Sequence, residues 1–201
     1  MGTLPPPRFT TGELNAQDVD FCYGSSNGML WKIWDRLYDL NLVYENTHFA
    51  IEQRKAFLKR EKIGICDIVG AAYRDKIDAS DLGMQQPELR DLLGILEQYP
   101  KVKTLIFTGG NSKNGPEYFF RQLLKKAKIP LECIDNQVPR KHQFNWAGRT
   151  IITHSLTAPS GTANRAIGSM LAYKEAKAQN PHYTTMDFRV EQYGRVFKES
   201  E

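Results

Sequence analysis

Short apolar runs that break at glycine or proline, and then give way to helical spacing, set the strongest limit on how this chain folds. Residues 19–23 run into Gly24-Ser25-Ser26-Asn27-Gly28, residues 102–108 into Gly109-Gly110, and residues 150–156 into Pro159-Ser160-Gly161. After the first break, Leu30, Trp31, Trp34, Leu37 and Tyr38 recur at three- and four-residue steps, the period of one helix face. Leu89, Leu92, Leu93 and Leu96 form a second such stripe, and Ala163, Ile167, Met170 and Leu171 another. Residues 49–60, 118–128 and 184–198 also read as helical, residues 62–69 and 131–134 as strands, and residues 75–84 as a loop. Strands alternating with helices imply right-handed crossovers. The expected fold is therefore α/β, a three-layer α/β/α sandwich with a short, mainly parallel sheet. Residues 1–17, rich in proline, glycine and threonine without a period, read as an arm over the surface or partly loose. Residues 18–201 then form a single domain, with neither internal repeat nor interdomain linker.

Composition narrows the function classes. With 201 residues, 41% hydrophobic and 25% charged, the chain suits one globular domain with a full core. A net charge of +4 leans only slightly toward a phosphate-bearing partner. Cys22, Cys66 and Cys133 lie far apart, and the four histidines, His48, His142, His154 and His182, show no metal-ligand spacing, so no metal is expected. There is no signal-peptide pattern and no long apolar run, so a cytoplasmic location without a membrane partner is expected.

In open α/β sheets ligands gather beyond the carboxyl ends of the strands, which directs attention to residues 24–28, 109–115 and 157–164. The first turn has neither Walker A nor GxGxxG spacing. In it, the Asn27 amide can accept from a water and donate to a substrate oxygen, or simply bind the turn backbone. The second turn offers Asn111. The third, with Pro159, Ser160, Gly161, Thr162, Asn164 and Arg165, combines small hydroxyls, backbone amides and a cation at a helix start, a good contact for phosphate. His154 in the last strand and Asp67 near the end of the second are candidates to face a ligand. Each also has an ordinary role open to it, as a satisfied strand histidine and a loop-orienting carboxylate. Trp31 and Trp34 read as core, with Trp31 close enough to the first turn to line a pocket.

Taken together, the run Phe21-Cys22-Tyr23-Gly24-Ser25-Ser26-Asn27-Gly28-Met29-Leu30-Trp31-Lys32 and the run Leu156-Thr157-Ala158-Pro159-Ser160-Gly161 resemble the two signature motifs of the uracil-DNA glycosylase superfamily. The nearest branches are the mismatch-specific and hypoxanthine-acting ones. Arg54-Lys55-Ala56-Phe57-Leu58, Gly64-Ile65-Cys66-Asp67-Ile68-Val69 and Phe107-Thr108-Gly109-Gly110 are similar to intervening family segments, so the resemblance spans residues 19–170. Ser25-Ser26 stands where the main branches carry a water-activating Asp-Pro or Asn-Pro, and Thr157 replaces the first proline of the second motif.

The resemblance implies a uracil-DNA glycosylase-like fold and hydrolysis of the N-glycosidic bond of a damaged or mispaired base flipped from DNA. It implies Asn27, Ser25 and Ser26 as catalytic residues. Tyr23, Gly24, Trp31, Asp67, Asn111 and His154 would then line the base pocket. Pro159, Ser160, Gly161, Thr162, Asn164 and Arg165 would hold the DNA. It implies no cofactor, and a monomer whose partner is DNA with a damaged or mispaired base. Two alternatives stay open: a non-catalytic DNA- or nucleobase-binding module of the same fold, and an enzyme acting on nucleosides or nucleotides.

Overall fold

Ala147 and Gly148 both take a positive φ, 48° and 74°. Two such residues in succession make the tight turn that folds one strand back antiparallel on the last. In the computed structural model, which describes residues 1–74 and 81–198, this turn pairs Trp146 with Arg149. The helices are α1 (Arg8–Thr11), α2 (Leu30–Tyr38), α3 (His48–Arg60), α4 (Leu92–Gln98), α5 (Pro116–Lys126), α6 (Asn164–Ser169), α7 (Leu171–Gln179) and α8 (Thr185–Phe197). The strands are β1 (Val69–Arg74), β2 (Met84–Leu89), β3 (Thr104–Phe107), β4 (Glu132–Asp135), β5 (Arg140–Trp146) and β6 (Arg149–Ser155). The chain divides into two compact units, residues 1–7 with 65–156 and residues 8–64 with 157–201.

The first unit contains all the named strands. Its four-stranded sheet has the order β3-β6-β5-β4, and a separate two-stranded sheet pairs β1 with β2. Only β3 and β6 run parallel; β6–β5, β5–β4 and β1–β2 are antiparallel. The expected three-layer α/β/α sandwich of uracil-DNA glycosylase-like fold, with its mainly parallel sheet, is thus corrected to a two-sheet α/β arrangement of mostly antiparallel strands. Two local causes explain the difference. Residues 19–23 form a turn rather than a first strand. The polar run Arg140–Trp146, with no β-branched residue to mark it, is a strand whose His142 and Phe144 point inward. Short connections on both sides of that strand permit only antiparallel neighbours.

Other boundaries move for similar reasons. Leu89 ends a strand, and the helix starts only at Leu92, where the Asp91 side chain accepts from the Gly94 N–H. The strand expected over 62–69 begins at Val69. Of the loop expected over 75–84, residues 75–80 lie outside the described residues, while Asp81–Gly83 form a 3-10 turn and Met84 opens β2. The first residues do not lie loose. Gly2 bridges to Asp67, and the Met1 carbonyl accepts from the Thr108 N–H at 2.9 Å.

Ile68, Val69, Leu96, Phe107, Phe120, Phe144 and Ile151 centre the core of this unit. Phe120 lies 5.0 Å from Phe107 and 5.3 Å from Phe144 between ring centroids. Burying each such side chain contributes about 1.5–3 kcal/mol. Beside this core Glu117, 1% exposed, accepts from Arg121 at 2.8 Å and from Arg140 at 2.6 Å, tying α5 to β5. Burial alone would push its carboxyl up, but the hydrogen bonds from Arg140 and Arg121 outweigh that and hold it below the usual range.

The second unit is helical among its described residues. Trp31, Trp34 and Phe57 meet edge-on or tilted at 5.0–6.0 Å and form its aromatic centre. Phe197 of α8 closes on Trp34 at 5.4 Å. A Cβ on Gly194 would come 3.1 Å from Leu37, so glycine lets α8 approach α2 closely. Thr184 and Asp187 cap α8 reciprocally. The helix expected across residues 163–171 is broken at Met170, whose extended backbone separates α6 from α7. Among the described residues no helix is long and apolar enough to cross a membrane.

Removing the Glu117 carboxylate leaves two arginines without their partner. Glu117→Ala is therefore expected to cost roughly 3–5 kcal/mol, read as a lower urea midpoint with an unchanged slope.

Candidate functional site

The second unit carries both motif-bearing loops, and its buried charges shape them. Asp18 is 0% exposed. Its carboxylate accepts from Arg8 Nε at 2.6 Å and Nη2 at 2.8 Å, from the Asn15 N–H at 2.9 Å and from the Ser26 N–H at 2.7 Å. These donors, Arg8 foremost, hold the carboxyl far below its usual range. Residues 19–24 close on themselves because the Val19 N–H donates to the Gly24 carbonyl and the Gly24 N–H to that of Phe21. Closure this tight leaves no room at Gly24, where a Cβ would overlap the Val19 carbonyl oxygen. Tyr23 before it is held at a φ of 59°, a conformation rare for a bulky side chain.

Beyond Gly24, Arg8 Nη2 donates to Ser25 Oγ at 2.7 Å. The Ser26 carbonyl accepts from Lys32 Nζ at 2.8 Å, and the Gly28 N–H donates to the Ser25 carbonyl at 2.8 Å. Asn27 sits exposed at the tip of that turn, and its side-chain amide makes no hydrogen bond among the described residues. Trp31, 2% exposed, donates to the Cys22 carbonyl and packs against Trp34, Phe57 and the Arg54 guanidinium. Its ring therefore belongs to the core.

The second loop is held from beneath by α8. Gln192 Oε1 accepts from both the N–H and the hydroxyl of Thr157, and the Tyr193 hydroxyl donates to the Thr157 carbonyl. Arg189, 0% exposed, donates to the carbonyls of Ala158 at 3.0 Å, Ser160 at 2.7 Å and Thr185 at 3.2 Å, and to Asn164 Oδ1 at 2.9 Å. Burial pulls its pKa down, and no carboxylate among the described residues pairs with it. Pro159 is buried, Ser160 bonds Thr162 through their hydroxyls, and Gly161, Thr162, Asn164 and Arg165 are exposed. The two loops meet directly, since the Met29 N–H donates to the Pro159 carbonyl at 2.9 Å.

The structure thus brings Tyr23, Gly24, Ser25, Ser26 and Asn27 into one unit with Pro159, Ser160, Gly161, Thr162, Asn164 and Arg165. Asp67, Asn111 and His154 belong to the first unit. There Asp67 is half-buried with its carboxyl pushed up by burial, and Asn111 is exposed. His154 stands on β6 with its pKa lowered by burial and by Lys141, which keeps the ring neutral at pH 7. Among the described residues no group of His, Cys, Asp and Glu is placed to hold a metal ion.

Sequence reasoning missed Arg8, Asp18, Arg189 and Gln192. Arg189 did leave a signal, because it shares one helix face with Tyr193 and Val196, and a charge on an apolar stripe needs a buried partner. Chemically, residues 24–28 offer hydroxyls and an amide and no carboxylate of their own, while Asp20 lies exposed before them. Such a set positions and polarises; it does not strongly abstract protons. Comparison of the chain with protein-family models, with curated proteins and with solved structures finds no match.

Asp18→Asn is expected to lower stability by roughly 3–5 kcal/mol near neutral pH. Because the folded carboxyl titrates below the unfolded one, its contribution is complete above about pH 4 and fades as the pH falls further. Urea midpoints of wild type and variant should therefore converge in acid; a constant gap would contradict the ion pair.

Proposed function

We propose that this chain is a DNA glycosylase that hydrolyses the N-glycosidic bond of a damaged or mispaired base, of the uracil or hypoxanthine class, turned out of DNA. The observation that carries this reading is the Met29–Pro159 bond, which joins the two loops bearing the motif resemblance. It needs only residues of the second unit. The reaction consumes one water and releases a free base and an abasic site, so the loops must place a water and stabilise charge on the departing base.

Asn27, exposed and uncommitted, places the water. Ser25 lies beside it for contact with the base, and Tyr23, held in a strained backbone, supplies an aromatic edge to the same turn. Aromatic stacking on an unpaired base contributes about 1–3 kcal/mol. Gly161, Thr162 and Arg165 meet the flanking phosphates. Arg189 beneath them adds a positive charge that no carboxylate among the described residues pairs with, which strengthens the field that an anionic backbone meets.

One observation favours a second reading, a module that binds DNA or a nucleobase without cutting. Asp18, the carboxylate that the turn closes on, is buried and fully engaged, so it is not free to act as a base there. Duplexes containing uracil, hypoxanthine or a thymine mismatch, treated with alkali after incubation, separate the two. Strand breaks at the base are expected for the glycosylase, and duplex binding without breaks selects the module. Asn27→Ala should slow cleavage by on the order of 10²-fold with duplex affinity unchanged; full turnover in that variant removes its water-placing role.

A further inference from the structure

Arg8 precedes both motifs and has no part in the reading above, yet its guanidinium reaches the first turn. Nη2 lies 2.8 Å from Asp18 Oδ1 and 2.7 Å from Ser25 Oγ, so its two hydrogens serve two acceptors. A guanidinium only donates, which makes Ser25 Oγ the acceptor in that contact. The Ser25 hydrogen must then point away from Arg8, and no acceptor for it stands among the described residues. A hydroxyl that accepts from a cation is polarised and becomes a stronger donor in turn.

The guanidinium itself is fixed. Asp18 grips it through both oxygens and is pinned in turn by the N–H groups of Asn15 and Ser26. Asp18 also cancels the charge of Arg8, which suits holding a neighbour in place better than attracting phosphate. Arg8 is 22% exposed at the side chain, within reach of the turn yet not projecting from it.

We propose that Arg8 sets the Ser25 hydroxyl as a hydrogen-bond donor to the departing base, which makes Arg8 a positioning residue. The inference rests on the glycosylase reading and narrows its substrates. The base must present an acceptor, a carbonyl oxygen or an unprotonated ring nitrogen, beside the nitrogen that leaves the sugar. As the glycosidic bond breaks, its electron pair passes to the base, and the Ser25 donor strengthens as that acceptor gains charge. The Ser25 proton stays on Ser25 throughout.

The test is a double-mutant cycle in the full chain. Single-turnover rates and duplex affinity are measured on a uracil-containing duplex for wild type, Arg8→Gln, Ser25→Ala and the double variant. Each single substitution is expected to slow cleavage by on the order of 10²-fold with affinity unchanged, and the double variant to lose no more than the slower single. Multiplicative losses, or a fall in affinity and thermal midpoint with Arg8→Gln at an intact rate, overturn the proposal. If Arg8→Gln does not fold, Arg8→Lys takes its place. Lysine keeps the pairing with Asp18 but lacks the forked second nitrogen, so the same rate loss is expected and a full rate overturns the proposal. Wild type that leaves every duplex intact overturns the glycosylase reading and this proposal with it. Product from wild type with independent Arg8 and Ser25 effects overturns this proposal alone.

Discussion

Burying a charge costs several kcal/mol unless its hydrogen-bonding capacity is met, and the two motif-bearing loops of the second unit answer that demand by folding backbone around Asp18 and Arg189. Asp18 draws in the N–H groups of Asn15 and Ser26 together with Arg8. Arg189 draws in the carbonyls of Ala158, Ser160 and Thr185. One loop is thereby gathered on an anion and the other on a cation. Each loop takes its shape from the charge beneath it, and the Met29–Pro159 bond then locks the pair.

That construction leaves the chemistry of the turn unusual. Tightening the loop on Asp18 consumes that carboxylate, and residues 23–27 then offer hydroxyls, an amide and a strained tyrosine backbone. A site of this kind works by orientation and by donors aimed at developing charge, not by moving protons between strong groups. Cleavage of a glycosidic bond suits such a site, because the base departs with its own electrons and needs stabilising more than the water needs activating. Strain at Tyr23 fits the same picture, since a backbone held in a sparse region persists only where its surroundings enforce it.

Much of the local structure could be read from spacing, and little of the topology. The stripe from Leu30 to Trp34 and the tail helix around Tyr193 follow from apolar period alone. The sheet does not, because strand direction depends on connection length. Ala147-Gly148 carries only one glycine to mark the reversal, and Arg140–Trp146 lacks β-branched residues. Residues 19–23 looked like a strand because they are apolar; the Asp18 carboxylate and the closure at Gly24 instead curl them into a turn. Ser25, Asn27 and Gly161, together with Arg165 in the first turn of α6, were legible from glycine and proline punctuation. Their supports were not, since Arg8 and Asp18 sit in a stretch without period and act through contacts distant in sequence.

The central claim is that residues 24–28 and 161–165 present one ligand-binding site. The most direct measurement is a titration of the isotope-labelled chain with a duplex carrying a single uracil–guanine pair, followed by amide chemical shifts. Amides of both loops are expected to shift together along one binding curve, and an undamaged duplex should move them less. Shifts confined to one loop, or two curves with different midpoints, would contradict the account.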